Sequence, residues 1–269
     1  MGASAMDPDL ASYDIILIST SAGKDSQVAM DKVTGLAREA GVSDRLRAVH
    51  ADLGRVEWKG TPELARTHAE HYGMPIEYIS RERGDLLDHV RQRGKWPASN
   101  ARYCTSDHKR DQIRKVMTRL VREIREKTGV KQARVLDVQG IRAEESTARA
   151  KKVPFFHNRS ASNGRRHVDT WYPVFDWTKE RVWDRIRETR VPYHPAYDYG
   201  MPRLSCCFCI YAPKAALVTA GRHNPDLLDE YVRTEEEIGH KFRLNLAISE
   251  VRDAVREGSD QGPVEDWSM

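Results

Sequence analysis

The sequence predicts an α/β protein: a parallel, twisted sheet with helices on both faces, followed by a helical C-terminal extension. Three observations carry this reading. Short apolar runs recur at Ile15 to Ile18, Leu46 to Val49, Ile76 to Ile79 and Val135 to Val138, each the length of a buried strand. Stretches with helical spacing separate them, the alternation that builds β-α units. Beyond Cys209 the chain reads as helices with few turn signals, Pro225 and Gly239 being the breaks.

The first run leads into a glycine-bearing turn, Ser21 to Ser26, and a helix over Ser26 to Ala40. The second and third are followed by helices over Pro62 to Tyr72, Leu86 to Arg93 and Asp107 to Lys127. In the last of these, Ile113, Val116, Met117, Leu120, Val121 and Ile124 form the single apolar stripe of a helix with one buried face. The fourth run ends at Gly140-Ile141-Arg142, and the Trp171 to Trp177 stretch precedes a helix over Thr178 to Glu188. Trp171, Trp177 and Trp183 read as core, where large aromatic area stabilises packing. Ligands of such sheets sit beyond the carboxyl ends of the strands. That puts Ser21 to Ser26, Asp52 and Gly140 to Arg142 on one rim. The expected organisation is one domain over residues 1–211 and a helical extension over 212–269 packed on it.

Composition narrows the class. With 269 residues, 39% hydrophobic and 31% charged, the chain can bury a real core. No apolar stretch approaches a spanning helix, and MGASAMDPDL lacks the basic flank and apolar centre of a signal peptide, so a cytoplasmic location is expected. The first five residues read as an addition ahead of a natural start at Met6. Four cysteines are too few for a disulfide scaffold, and three of them crowd into four positions, which points to metal or redox chemistry.

The net charge of +4 is mild, but Asp107 to Arg134 holds ten Lys or Arg against four acids. Arg114, Lys115, Arg119, Arg122 and Arg125 lie outside the apolar stripe; a solvated helix face is the preferred reading, a nucleic-acid surface the alternative. Lys151 to Arg166, with Lys152, Arg159 and Arg165 among small polar residues, reads as a mobile basic loop able to guard a site or bind a phosphate backbone. Phe242, Leu244 and Leu246 read as core of the C-terminal helices rather than a partner face.

Ser21-Ala22-Gly23-Lys24-Asp25-Ser26 stands between a strand and a helix, where backbone N–H groups, a positive helix end and a lysine converge. That is a phosphate cradle. A Walker A loop needs two glycines five apart and Lys followed by Ser or Thr, so this is a different loop. The hexapeptide resembles the PP-loop of ATP pyrophosphatases, with Ala22 where that family usually has glycine.

Further blocks follow in the same order as in the phosphoadenosine phosphosulfate reductase superfamily. They are His50-Ala51-Asp52-Leu53-Gly54, Tyr103-Cys104-Thr105 before the basic helix, Gly140-Ile141-Arg142-Ala143-Glu144-Glu145-Ser146, Pro173 to Thr178 before Val182-Trp183, and Cys206-Cys207-Phe208-Cys209. The resemblance covers nearly the whole chain up to Pro213 and implies an adenine nucleotide alpha hydrolase-like fold. It implies that Ser19, Ser21, Ala22, Gly23, Lys24, Asp25, Ser26, Asp52, Gly140 and Arg142 bind ATP, with Lys24, Asp25 and Arg142 as the catalytic set. Lys24 is suited to neutralising phosphate oxygens, and Asp25 either to holding Mg²⁺ or to capping the helix. Arg142 offers a fixed fork to an oxyanion. Glu144 and Glu145 read as ordering that arginine or capping a helix.

Cys104, Cys206 and Cys209 match the superfamily's iron–sulfur positions and imply a [4Fe–4S] cluster, with Cys207 as a possible fourth ligand. Three ligands would leave one iron open. Zinc is the rival, because His108 lies one helical turn after Cys104; plain buried or redox thiols are another. No cysteine follows Cys209, so the mobile C-terminal cysteine of the superfamily's reductases has no counterpart in these residues. The reading that results is an ATP pyrophosphatase, yielding AMP and pyrophosphate, that adenylates an acceptor for sulfur transfer. The block order is closest to the enzymes of DNA phosphorothioation. A nucleic-acid acceptor, DNA before tRNA, and a cysteine desulfurase donor are the expected partners, with no membrane. The alternatives are an adenylylsulfate or phosphoadenylylsulfate reductase, a tRNA thiolation enzyme and a non-catalytic ATP-binding partner subunit.

Overall fold

The computed structural model describes residues 7–267. The proposed start at Met6 lies outside the described residues. Strands β1 (Ile15–Thr20), β2 (Leu46–Ala51), β3 (Ile76–Ile79), β4 (Ala133–Gln139), β5 (Phe155–His157) and β6 (Arg166–Trp171) alternate with helices. The helices are α1 (Lys24–Glu39), α2 (Thr61–His71), α3 (Leu86–Arg93), α4 (Tyr103–Thr105), α5 (Asp111–Thr128), α6 (Thr147–Ala150), α7 (Lys179–Thr189), α8 (Lys214–His223), α9 (Pro225–Ile238) and α10 (Ile248–Arg256).

The chain forms two compact units interleaved in sequence. The first holds the chain up to Ala51, Thr61–Ile79 and Ile113–His194; the second holds Asp52–Gly60, Ser80–Gln112 and the chain from Pro195. This grouping differs from the expected boundary after residue 211, because residues 195–211 pack with the C-terminal helices.

The first unit is built on one six-stranded sheet of order β3-β2-β1-β4-β6-β5. All neighbours are parallel except β5, which runs antiparallel to β6 with Phe155 opposite Trp171 and His157 opposite Asp169. Strand alternation sends Ile16 and Ile18 into a cluster with Met30, Val33, Leu136 and Trp171. It sends Ile15 and Leu17 to the other side, with Val116, Leu120, Val135 and Val168. The apolar stripe read along α5 is that second contact. Trp171 and Trp177 are buried as expected, and Trp183 packs at the margin of a cluster with Val182 and Ile186.

Two sequence expectations need correction. The stretch read as a mobile basic loop contains β5 and the start of β6, joined by a turn with many internal bonds: Asn158 Oδ1 accepts from Ser160 and Ala161, and Asn163 Oδ1 from Arg165 and Arg166. Arg166 is buried, donating to the Ala161 carbonyl and the Thr118 hydroxyl. Polar residues occupy this strand because each meets a partner, so the apolar signal is absent. Leu244, read as core, is 99% exposed, whereas Phe242 and Leu246 are buried.

The second unit is helical around an aromatic centre in which Tyr231 stacks on Trp96, with ring centroids 5.1 Å apart, and meets Phe208. Buried Glu235 accepts from the backbone N–H groups of Phe242 and Ile248, so its carboxylate caps the positive end of α10.

Candidate active site

In the first unit the turn after β1 is held by its own serines and threonine. Ala22 N–H donates to Thr20 Oγ1, Ser21 N–H to Ser26 Oγ, and Ser26 Oγ to the Gly23 carbonyl. These bonds hold Ala22 at φ 55°, in the left-handed region, where a Cβ carries strain of about 1–2 kcal/mol. The turn delivers Gly23 as the cap of α1 with no side-chain bond. A helix start capped this way leaves its first-turn N–H groups for an anion.

Three charged residues converge on the cap. Lys24 is 2% exposed, its Nζ 3.2 Å from Asp25 Oδ2. Arg142, also 2% exposed, comes from the loop after β4 and places Nε 2.5 Å from Asp25 Oδ1. Its Nη1 donates to Glu144 Oε2 at 2.5 Å and to the Trp177 carbonyl. Burial works against the charged guanidinium, but Asp25 and then Glu144 outweigh it and hold its pKa above the ordinary arginine value. Glu144 also accepts from Lys179 N–H at the start of α7, and Glu145 accepts from Arg142 N–H, so both acids order this arginine and its neighbouring elements.

Gly140 is required for this approach. A Cβ there would sit 2.6 Å from Ser26 N and 2.7 Å from the Asp25 carbonyl, with no side-chain end able to yield. Ser19, at the end of β1, keeps a buried hydroxyl without a hydrogen-bond partner.

Ser19, Ser21 to Ser26, Gly140 and Arg142 all belong to this first unit. Each Asp25 carboxylate oxygen faces one cation, Oδ2 with Lys24 and Oδ1 with Arg142. Asp52 belongs to the second unit, where its Oδ1 accepts from Gly54 N–H at 2.7 Å and closes a tight turn. Gly54 has φ +75°, and a Cβ there would meet Asp85 Cβ at 2.4 Å.

The cysteines all lie in the second unit. Cys104, on α4, packs with Cys206 and Cys209 at the margin of the aromatic core, while Cys207 is buried inside it and donates its N–H to the Val56 carbonyl. Burial pushes the Cys206 and Cys209 thiols above their ordinary range and Cys207 up to about 12. Arg102 and Arg243 stand in the field of Cys209, and each keeps a buried Nε without a partner. Three thiols at an apolar margin with two unsatisfied cationic donors fit a sulfur-rich anionic cluster. His108, the nitrogen ligand of the zinc reading, lies in a π-helical turn, Ser106–Arg110, fully buried, with Nε2 3.0 Å from His89 Nδ1. Burial and the neighbouring His89 lower its pKa to about 4. The histidine pair was not legible as a unit, since its members stand on separate elements.

Within the same unit lies a cavity of about 470 Å³ lined by Arg93, Arg102, Arg110, Tyr103, Thr105 and Asp107. No described helix is long and apolar enough to cross a membrane.

The family model of the phosphoadenosine phosphosulfate reductase domain matches residues 15–212. The adenosine 5'-phosphosulfate reductase of Allochromatium vinosum is 28% identical over 205 residues, which cover 74% of this chain and 69% of that protein. An uncharacterized 37.8 kDa protein of Escherichia phage 186 is 29% identical over 149 residues, 55% of this chain and 42% of its own length. Among solved structures, the U34-tRNA thiolase NcsA from Methanococcus maripaludis, with its [4Fe-4S] cluster, is 17% identical, with a TM-score of 0.48 over 97% of this chain and 77% of that one. The match from the first strand to three residues past the cysteine block spans well over half of the chain, and the chain belongs to the phosphoadenosine phosphosulfate reductase domain family.

Proposed function

We propose that the chain is an ATP pyrophosphatase that adenylates a nucleic-acid acceptor for sulfur transfer, with DNA phosphorothioate modification as its setting. The observation that carries the reading is the Lys24, Asp25 and Arg142 cluster at the uncapped start of α1. Two buried cations, a helix end and the Ser19 hydroxyl are complementary to a phosphate chain. Mg²⁺ would arrive on the nucleotide, the usual mode for this ion.

An acceptor oxygen, anionic in a backbone phosphate, attacks the α-phosphorus of ATP. The bond from that phosphorus to the bridging oxygen breaks, and pyrophosphate leaves with the electron pair. Charge develops on that leaving group, where Lys24 and the α1 N–H groups meet it. Arg142, fixed by Glu144 and Trp177, orients the phosphate chain for in-line attack. A sulfur nucleophile at the hydrosulfide level then displaces AMP from the activated atom, without net oxidation. Cys104, Cys206 and Cys209 would hold a [4Fe–4S] cluster, which supplies an iron position open to a sulfur ligand. A cysteine desulfurase with an external thiol, which is oxidised to a disulfide as it releases the persulfide sulfur as hydrosulfide, is the fitting sulfur source and the cytoplasm the fitting compartment.

The similarity to an adenosine 5'-phosphosulfate reductase favours a second reading, reduction of adenylylsulfate by an external thiol. The test is AMP and pyrophosphate release from ATP by anaerobically purified protein, wild type and Lys24→Ala, with DNA or tRNA, beside sulfite release from adenylylsulfate with thioredoxin. Pyrophosphate release that falls about 100-fold or more in the variant supports the proposal. Sulfite release without pyrophosphate release replaces it with the reductase. ATP binding with neither product makes the chain a nucleotide-binding partner subunit.

A further inference from the structure

The edge of the sheet carries a second constellation that the proposed reaction does not use. His157 on β5 is in register with Asp169 on β6, and His167 precedes Asp169 by two residues, so all three side chains leave one face of the ribbon. Their ligand atoms lie within 4.8 Å of one another. His157 Nδ1 is 3.3 Å and His167 Nε2 is 3.0 Å from the same oxygen, Asp169 Oδ1. The two imidazoles are stacked, with centroids 4.2 Å apart.

The carboxylate between them is fixed from the other side. Asp169 Oδ2 accepts from the buried Tyr13 hydroxyl at 2.8 Å and faces Arg134 Nη2 at 3.7 Å, leaving Oδ1 to the histidines. Asp169 is 8% exposed, whereas His157 and His167 are 40% and 33% exposed, so the group opens to solvent on the histidine side. The geometry points to a binding site for a borderline divalent transition cation, with Zn²⁺ the expected occupant, ligated by His157 Nδ1, His167 Nε2 and Asp169 Oδ1.

The donor set argues for this class. Two imidazoles and one carboxylate suit zinc and its neighbours, and three protein ligands leave further positions for water. A ligating carboxylate that is itself hydrogen-bonded is the usual support of such a site, and Tyr13 supplies it. Both histidines aim at one oxygen, a crowding that a cation between the three atoms relieves. Because β5 has three residues and pairs only with β6, a bound cation would staple this edge strand to the sheet, beneath the basic turn from Asn158 to Arg165. The strand register puts Asp169 level with Ile16, four residues before the end of β1, so the site belongs to the sheet edge and not to the phosphate cradle.

The test is zinc titration of the chelator-treated full chain by calorimetry, with X-ray absorption of the bound metal, for wild type and for His157→Ala/His167→Ala. Circular dichroism without metal checks that the variant folds. The expected result is about one zinc per chain lost in the double variant, and in wild type a zinc population with only nitrogen and oxygen neighbours. Tyr13→Phe is expected to weaken that population about 10-fold, as loss of an outer partner does. Equal zinc content and affinity in wild type and double variant, or sulfur in every zinc shell, would overturn the site. Zinc held by Cys104, Cys206 and Cys209 shows sulfur neighbours and survives the histidine substitutions, so the outcome is independent of the proposed ATP chemistry.

Discussion

The Ser21 to Ser26 loop and the cysteine region treat buried ionisable groups by opposite means. The loop pairs its charges: Lys24 and Arg142 are almost fully buried with Asp25 between them, and Asp25 holds the Arg142 pKa above its ordinary value. In the cysteine region burial acts on single groups, favouring the neutral thiols of Cys206 and Cys207 and a neutral His108. Removing a partner is therefore the damaging change in the first, and introducing a polar or charged group is the damaging change in the second.

The largest expected effect breaks the pairing. Arg142→Ala leaves Asp25 and Glu144 without their shared cation and the Trp177 carbonyl without its donor. Roughly 3 kcal/mol of stability should be lost, read by urea unfolding at neutral pH. A loss below about 1 kcal/mol would mean that the loop does not depend on its internal ion pairs.

Next comes the exclusion of charge, tested by pH. The folded pKa of His108 is about 4 and the unfolded value near 6.5, so between these the unfolded chain binds the additional proton. Stability is complete above pH 6.5 and falls as pH drops toward 4, by on the order of 2 kcal/mol from this residue. His108→Gln should flatten that part of the curve. An unchanged acid limb would show that other groups set it.

How much of this was legible in the sequence follows from the distance over which each feature is encoded. The phosphate turn, the strand before it and the helix after it are consecutive residues, and their local chemistry is enough to find them. The Arg142 to Asp25 contact spans 117 positions; the strand ends put both residues on one rim, but nothing in the sequence paired them. Strands β5 and β6 escaped because Arg166, Asp169 and Thr170 are buried by virtue of partners such as Thr118, Tyr13 and Asp137, contributed from elsewhere in the chain. The same cause hid the His157, His167 and Asp169 group, whose members look like isolated polar residues until β5 folds back on β6. Leu244 failed for the opposite reason: an apolar residue at the tip of a turn has no neighbour to bury it.

A smaller effect separates the cysteines. Cys207→Ser places a hydroxyl in the aromatic core and should cost about 1–2 kcal/mol while leaving any bound iron in place. Cys209→Ser, at the margin, should change stability less and abolish the iron. The reverse pattern, from iron analysis and thermal melts on the same samples, would exchange their roles. The smallest effect sharpens the picture of the loop: Ala22→Gly relieves the φ of 55° at the expense of a more flexible unfolded chain. A gain of under about 1 kcal/mol is expected in the melting curve, and a loss would show that the Ala22 methyl packs to advantage.

Asp25 has one consequence for what can enter the loop. With Lys24 on one carboxylate oxygen and Arg142 on the other, an arriving anion finds both cations already occupied by a tethered competitor of high effective concentration. The loop behaves as an ion exchanger loaded with its own counterion. In the proposed reaction chloride or acetate, with a single charge, would lose that exchange, whereas a chain of phosphates would engage lysine, arginine and helix end together and displace the aspartate.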